Sequence, residues 1–240
     1  VHEVTRGNSM NIFHGVNFIF KSNSTELLRT QDLAVESIRA AKIKNTKLVI
    51  FKFKAENIHL LEGESTYNLK RSINSFGGKR LPIVRDIFEG LWNISGKGDW
   101  IGFTNSDIII RSGNFYKTIR NLSDNHDAIF FNRDEIKSEV APETLDSFLS
   151  SSTEKNPFSG RDGFFMRRDV WREVSRNYGL YVLSQPYWDN ALINAINGRF
   201  KSVTIDSEIV HFFHKRRWSE KDPGSKYNKA IFDKEYGNDE

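Results

Sequence analysis

The sequence predicts an α/β fold in which one mostly parallel sheet lies between helices, and three observations lead there. Residues 48–51 (LVIF) form a continuous apolar run, the signature of a strand covered on both faces. Residues 26–42 place Leu28, Val35, Ile38 and Ala41 at helical spacing between two apolar runs, so the opening reads strand, helix, strand. Residues 99–111 (DWIGFTNSDIIIR) carry two apolar runs separated by Thr104-Asn105-Ser106-Asp107, which places a carboxylate at a strand end, where such sheets bind their ligands.

The elements follow in order. Residues 1–11 read as a polar tail and 16–20 as the first strand, with a turn and helix start at 22–25. After the strand at 47–53, residues 55–80 are polar and irregular. A helix begins at Leu81-Pro82, proline being suited to a first turn. Helix and strand patterns recur at 113–122 and 127–132, and 135–156 reads as a long loop or small subdomain. Three stretches close the pattern: FSGRDGFFMRRDVWREV at 158–174, the helix opening YWDNALINAI at 187–196, and a last strand at 200–205. His211 to Trp218 follow, and then a polar tail from 219. The expected organisation is one domain over 12–218 between two tails.

Composition narrows the function. Cysteine is absent, which excludes disulfides, Cys-ligated zinc and a thiol nucleophile, and fits a reducing, cytoplasmic setting. No run approaches the ~20 apolar residues of a membrane span, and no signal-peptide pattern opens the chain. With 19 Phe and 5 Trp, large aromatic groups must fill much of the core. The net charge of +4 gathers at Arg167-Arg168 and Lys215-Arg216-Arg217, which could serve a nucleic acid and equally suits a phosphate-bearing small molecule; the balance of 35 basic to 31 acidic residues is too mild to favour the nucleic acid. The latter segment also fits a solvated face or a peripheral contact with an anionic membrane. The P-loop, the dinucleotide-binding GxGxxG and the GxSxG elbow are all missing.

Chemistry is left to Asp107, Asp162 and Asp189, each expected in a turn beside aromatic residues. With His211 or His214 they offer oxygen and nitrogen donors for Mg²⁺ or Mn²⁺ and one spare carboxylate as a base. Trp188, Tyr187 and Phe164 are candidates to stack on a sugar face, although core packing is the commoner use of such residues.

The order of these motifs resembles the GT-A class of nucleotide-sugar glycosyltransferases across residues 14–218, with Asn105-Ser106-Asp107 at the position of the family's DxD motif. The resemblance implies a sugar transferred from a nucleotide diphosphate to a hydroxyl of a glycan or other acceptor, with Mn²⁺ or Mg²⁺ as cofactor. It implies that Asp107 and one of His211 and His214 hold the metal, and that Asp189 is the catalytic base. Asn105, Gly160, Arg161, Asp162, Trp188, Lys215 and Arg217 would then contact donor or acceptor. Asn105 departs from the motif, where an acid is usual. Two other classes stay open: a catalytically degenerate binding module on the same fold, and a nucleic-acid-modifying enzyme.

Overall fold

The computed structural model describes residues 10–18, 25–53, 60–61, 64–73, 81–136, 143–150, 154–155, 160–212 and 219–237. The elements are β1 (Ile12–Asn17), α1 (Thr25–Ala41), β2 (Thr46–Lys52), β3 (Glu64–Asn68), β4 (Ser72–Ile73), β5 (Leu81–Pro82), α2 (Val84–Ile94), β6 (Trp100–Thr104), β7 (Ile108–Ile110) and α3 (Phe115–Ser123). They continue with β8 (Ala128–Ile136), α4 (Leu145–Leu149), β9 (Glu154–Lys155), β10 (Arg161–Arg167), α5 (Arg168–Val174), α6 (Trp188–Asn197), β11 (Ser202–Phe212) and α7 (Pro223–Tyr236).

The expected α/β class is what forms. The main sheet runs β3-β2-β1-β6-β10-β8-β11-β7, with β9 added to β8. Strands β3, β2, β1, β6, β8 and β11 point one way, and β10, β7 and β9 point the other. Both faces are covered, which is why β1 is buried along its whole length and the run at 48–51 is apolar throughout. On one face Val35, Ile38 and Ala41 of α1 and Phe115, Tyr116 and Ile119 of α3 pack against Ile12, Leu48, Ile50 and Trp100. On the other, α2, α5 and α6 bury Phe88, Leu91, Trp171, Leu192 and Ile196 against Phe13, Phe51, Ile101 and Phe103.

The path of β6 into β7 shows that the sheet curls. Strand β7 lies four strand spacings from β6, about 19 Å in a flat sheet. Yet Ile108 follows Thr104 by four residues, a reach of about 14 Å at most. Strands β8 and β11 therefore bend, and the pairing of β11 with β8 shifts register between Ile205 and Ile209, where Ser207 has a φ of 65°. The far halves of β8 and β11 are thus carried over the end of β6, and β7 rests on α1, where Ser37 Oγ accepts the Ile110 N–H at 2.9 Å.

Several sequence expectations are corrected. Pro82 pairs in β5 instead of opening α2, and the irregular stretch 55–80 contains β3, which adds an edge strand to the sheet. Strand β8 runs on to Ile136, and the loop expected after it holds α4 and β9. The polar tail expected from 219 contains α7, whose Ile231, Phe232 and Tyr236 pack on the core, while Asn228 bonds the backbone of Val182 and Pro186. A helix that is polar on its outer face hides its inner stripe in a weakly apolar sequence. Among the described residues no helix is long and apolar enough to cross a membrane.

One buried group ties the end of β6. His14, wholly buried, lies between the Tyr116 hydroxyl at 2.7 Å and Thr104 Oγ1 at 2.9 Å. Burial pushes its pKa down to about 3. In the unfolded chain it protonates near its ordinary value of 6.5, so this contribution to stability is complete above pH 6.5 and lost as pH falls toward 3. The loss reaches about 5 kcal/mol. Urea unfolding of the wild type and His14→Gln between pH 7.5 and 4 should show a steeper decline for the wild type. Equal slopes would reject the assignment.

Candidate functional site

Each functional side chain is placed by a strand end, a bulge or a helix start. Asn105 and Asp107 occupy the short link between β6 and β7, closed by the Ile108 N–H bonding the Asn105 carbonyl at 3.2 Å. Asp162 lies in β10, not in a turn as the sequence suggested. The register of β10 with β8 shifts between Arg161 and Gly163, and Asp162 is the residue inside that irregularity. Bulges re-aim side chains, and here the Asp162 carboxylate reaches the β6–β7 link: Asn105 Nδ2 donates to its Oδ1 at 2.7 Å.

The extension of β8 supplies the other half. Two-residue alternation sends Arg133 and Glu135 to one face and Asp134 to the other, where Asp134 pairs with Arg111 at 2.8 Å. Arg133 Nη1 bonds the second oxygen of Asp162, and Nη2 bonds Glu135 Oε1 at 3.1 Å. The Asp107 carboxylate also acts on this guanidinium. Gly160 makes room for it: a Cβ there would lie 3.2 Å from Arg133 Cζ, and the Gly160 carbonyl accepts the Arg133 N–H at 3.1 Å. His211 on β11 registers with Glu135 on one side and Ile108 on the other. Its Nε2 is 3.6 Å from Asp107 Oδ2 and its Nδ1 4.0 Å from Glu135 Oε1.

Asp189 stands in the first turn of α6, after Tyr187, whose φ is 80° in the left-handed region that most side chains avoid. Burial raises the Asp189 pKa to about 6; its own N–H and that of Asn190 pull it down, the charge of Asp162 pushes it up and that of Arg133 lowers it. A carboxyl so placed takes up and gives back a proton near neutral pH.

The structure therefore draws together Asn105, Asp107, Asp162 and His211 and gives Gly160 a steric role. It adds Arg133 and Glu135, which the sequence reading missed. Their signal was the continued alternation of NRDEI past residue 132. Other expectations are corrected. Trp188 is 5 % exposed and wedged between the rings of Phe103 and Phe164, and Phe164 is fully buried, so neither offers a face to a sugar. Tyr187 packs on Phe232. Arg161 registers with Asn132 and joins none of the pairs above. Of the basic clusters, Arg168 lies over the Trp92 ring at 4.1 Å and Arg167 bonds the carbonyls of Ser123 and His126, so both brace the fold. His214, Lys215 and Arg217 lie outside the described residues.

The donor types suit a divalent cation in part. Asp107 and His211 supply an oxygen and an imidazole nitrogen, which Mn²⁺ and Mg²⁺ accept. Among the described residues, however, no group of three or more His, Asp or Glu side chains is placed to hold a metal ion. Two protein donors fit an ion that keeps water and takes its remaining oxygens from bound phosphates.

No protein-family profile matches the chain, and no curated protein resembles it in sequence. Among solved structures, a protein described as a putative nucleotide-diphospho-sugar transferase from Desulfovibrio desulfuricans G20 is similar, with 8 % identity over 94 % of this chain and 98 % of that one and a TM-score of 0.47. The 4-diphosphocytidyl-2C-methyl-D-erythritol synthase of Anaerococcus prevotii shares 9 % identity over 82 % and 87 %, with a TM-score of 0.46. Rv0371c of Mycobacterium tuberculosis H37Rv, in complex with manganese, shares 11 % over 84 % and 91 %, with a TM-score of 0.47. Likenesses this distant assign no chemistry to this chain.

Proposed function

We propose that the protein is a glycosyltransferase that moves a sugar from a nucleotide-diphosphate donor to a hydroxyl acceptor. The observation that carries the proposal is the cluster at the β6–β7 link, where Asn105 and Arg133 both bond Asp162 and Asp107 lies beside His211; half-buried Asp189 at the start of α6, its pKa raised by burial to about 6, feels the charges of Asp162 and Arg133. The charge of Asp107 acts on Arg133 in turn, and the Asp107 carboxylate lies 3.6 Å from His211 Nε2. In this reading Asp189 accepts the proton of the acceptor hydroxyl as that oxygen attacks the anomeric carbon. Asp107 and His211 would hold a divalent cation, Mn²⁺ or Mg²⁺, and the ion would supply Lewis-acid stabilisation of the departing diphosphate. Asn105, fixed by its bond to Asp162, offers its remaining amide oxygen to a hydroxyl of the donor. Arg133 keeps Asp162 and Glu135 from repelling one another and Asp107, so the site is assembled before the donor arrives.

The test is a thermal-shift screen of UDP, GDP, CDP and dTDP with Mn²⁺, on the wild type and Asp107→Ala, followed by product analysis with the matching nucleotide sugars. One diphosphate should stabilise the wild type, by about 2.7 kcal/mol at a hundredfold excess over its Kd, and should fail to stabilise the variant. Turnover should release the nucleoside diphosphate. Stabilisation without turnover would instead favour a binding module, and release of pyrophosphate from a nucleoside triphosphate would mark nucleotidyl transfer.

A further inference from the structure

We infer that Arg133 is the resident cation of this site, filling in the free protein the place among Asp107, Glu135 and Asp162 where a metal ion would otherwise be drawn. Its guanidinium bonds Asp162 and, at 3.1 Å, Glu135, and the field of Asp107 acts on it as well. The backbone is cut to receive it, because a Cβ at position 160 would crowd the guanidinium carbon at 3.2 Å. A planar guanidinium also spreads its acceptors wider than a spherical ion would, which accounts for the lack of any three-ligand metal group among the described residues. Asn105 belongs to the same arrangement. An aspartate at that position would press a second carboxylate against Asp162 across a 2.7 Å contact, whereas the amide donates to it. The neutral residue at the first motif position is thus matched to the charge on β10, with Arg133 as its counter-ion.

The consequence concerns binding order, and it rests on the donor reading proposed above. Among the described residues the free protein offers a divalent ion two donors, Asp107 and His211, so the ion enters with the nucleotide diphosphate as one complex and not ahead of it.

The experiment counts bound Mn²⁺ by the electron paramagnetic resonance of the free ion, with the whole chain, in the absence of nucleotide. The wild type and Arg133→Lys should show no site below millimolar Mn²⁺. Arg133→Ala, in which the three carboxylates can close on an ion, should bind one Mn²⁺ on the order of tenfold tighter, and its Tm should rise with Mn²⁺ where that of the wild type does not. Tight Mn²⁺ binding by the nucleotide-free wild type overturns the inference, as does a folded Arg133→Ala that binds no better. If Arg133→Ala does not fold, the wild-type arm alone decides. Adding UDP, GDP, CDP or dTDP then tests the binding order: failure of every one to bind rejects the donor reading and leaves the nucleotide-free comparison standing.

Discussion

Asp189→Asn should abolish transfer and at the same time stabilise the fold at neutral pH. The loss follows from the proposed role, since a general base contributes about 10²- to 10⁴-fold and an amide cannot accept the proton. The gain follows from burial. Folded Asp189 holds its proton up to a pKa of about 6, against an ordinary value of 3.8. Between these values the unfolded carboxyl ionises while the folded one resists, so stability falls as pH rises through that window and stays lower above it. The shift corresponds to about 3 kcal/mol, which the neutral amide removes. Urea unfolding of both proteins should show the Asp189→Asn variant more stable at pH 7.5 and the difference closing by pH 4. In the wild type the acid limb of kcat/KM should lie near pH 6. A variant that keeps its activity removes Asp189 from the mechanism. One that is less stable at pH 7.5 contradicts the account of its burial.

Asp162→Asn should weaken the protein and move that acid limb to lower pH. The Asp162 side chain is 9 % exposed and paired with an Arg133 side chain that is 26 % exposed, so an amide takes away the charge of that pair and, among the described residues, leaves the guanidinium in an ion pair with Glu135 alone. Removing one member of a largely buried pair costs about 3 kcal/mol. The pH effect has a definite sign. The charge of Asp162 raises the pKa of Asp189 and that of Arg133 lowers it. Deleting the first and releasing the second both ease ionisation of Asp189. A pH profile of kcat/KM separates this from simple damage, because general destabilisation lowers the plateau without displacing the limb. An unchanged limb would show that Asp162 does not act on Asp189.

How much of the site was legible follows from where its residues gain their meaning. Asp107 stands out because an apolar strand stops for it, and Asp189 because an apolar helix starts at it; both signals are local. Asp162 stands out in the sequence as a carboxylate in a glycine-flanked turn. Its position inside a strand irregularity depends on how β10 registers with β8, and that register is a property of two strands roughly 30 residues apart. Arg133 and Glu135 do not stand out in the sequence, because the apolar run of this strand ends near residue 132 and the polar stretch from 135 reads as a loop. They are drawn inward only because β8 bends over the end of β6. Trp188 and Phe164 erred the other way: aromatic residues beside an acid suggest a sugar platform, but packing between neighbouring rings covers them.

By itself the sequence determined the α/β class, the two-sided burial of the central strands and the chemical inventory: no thiol, a few carboxylates near aromatic residues, and late histidines. These follow from periodicity and residue type, which act over a turn or a strand. The tertiary structure alone decided which charges meet. The short link between β6 and β7 cannot cross a flat sheet, so the sheet curls, and the curl brings Asn105, Asp107, Arg133, Glu135, Asp162 and His211 from separate segments to one mouth. Their pairing is fixed by chain reach and strand register, and neither is written in any one segment.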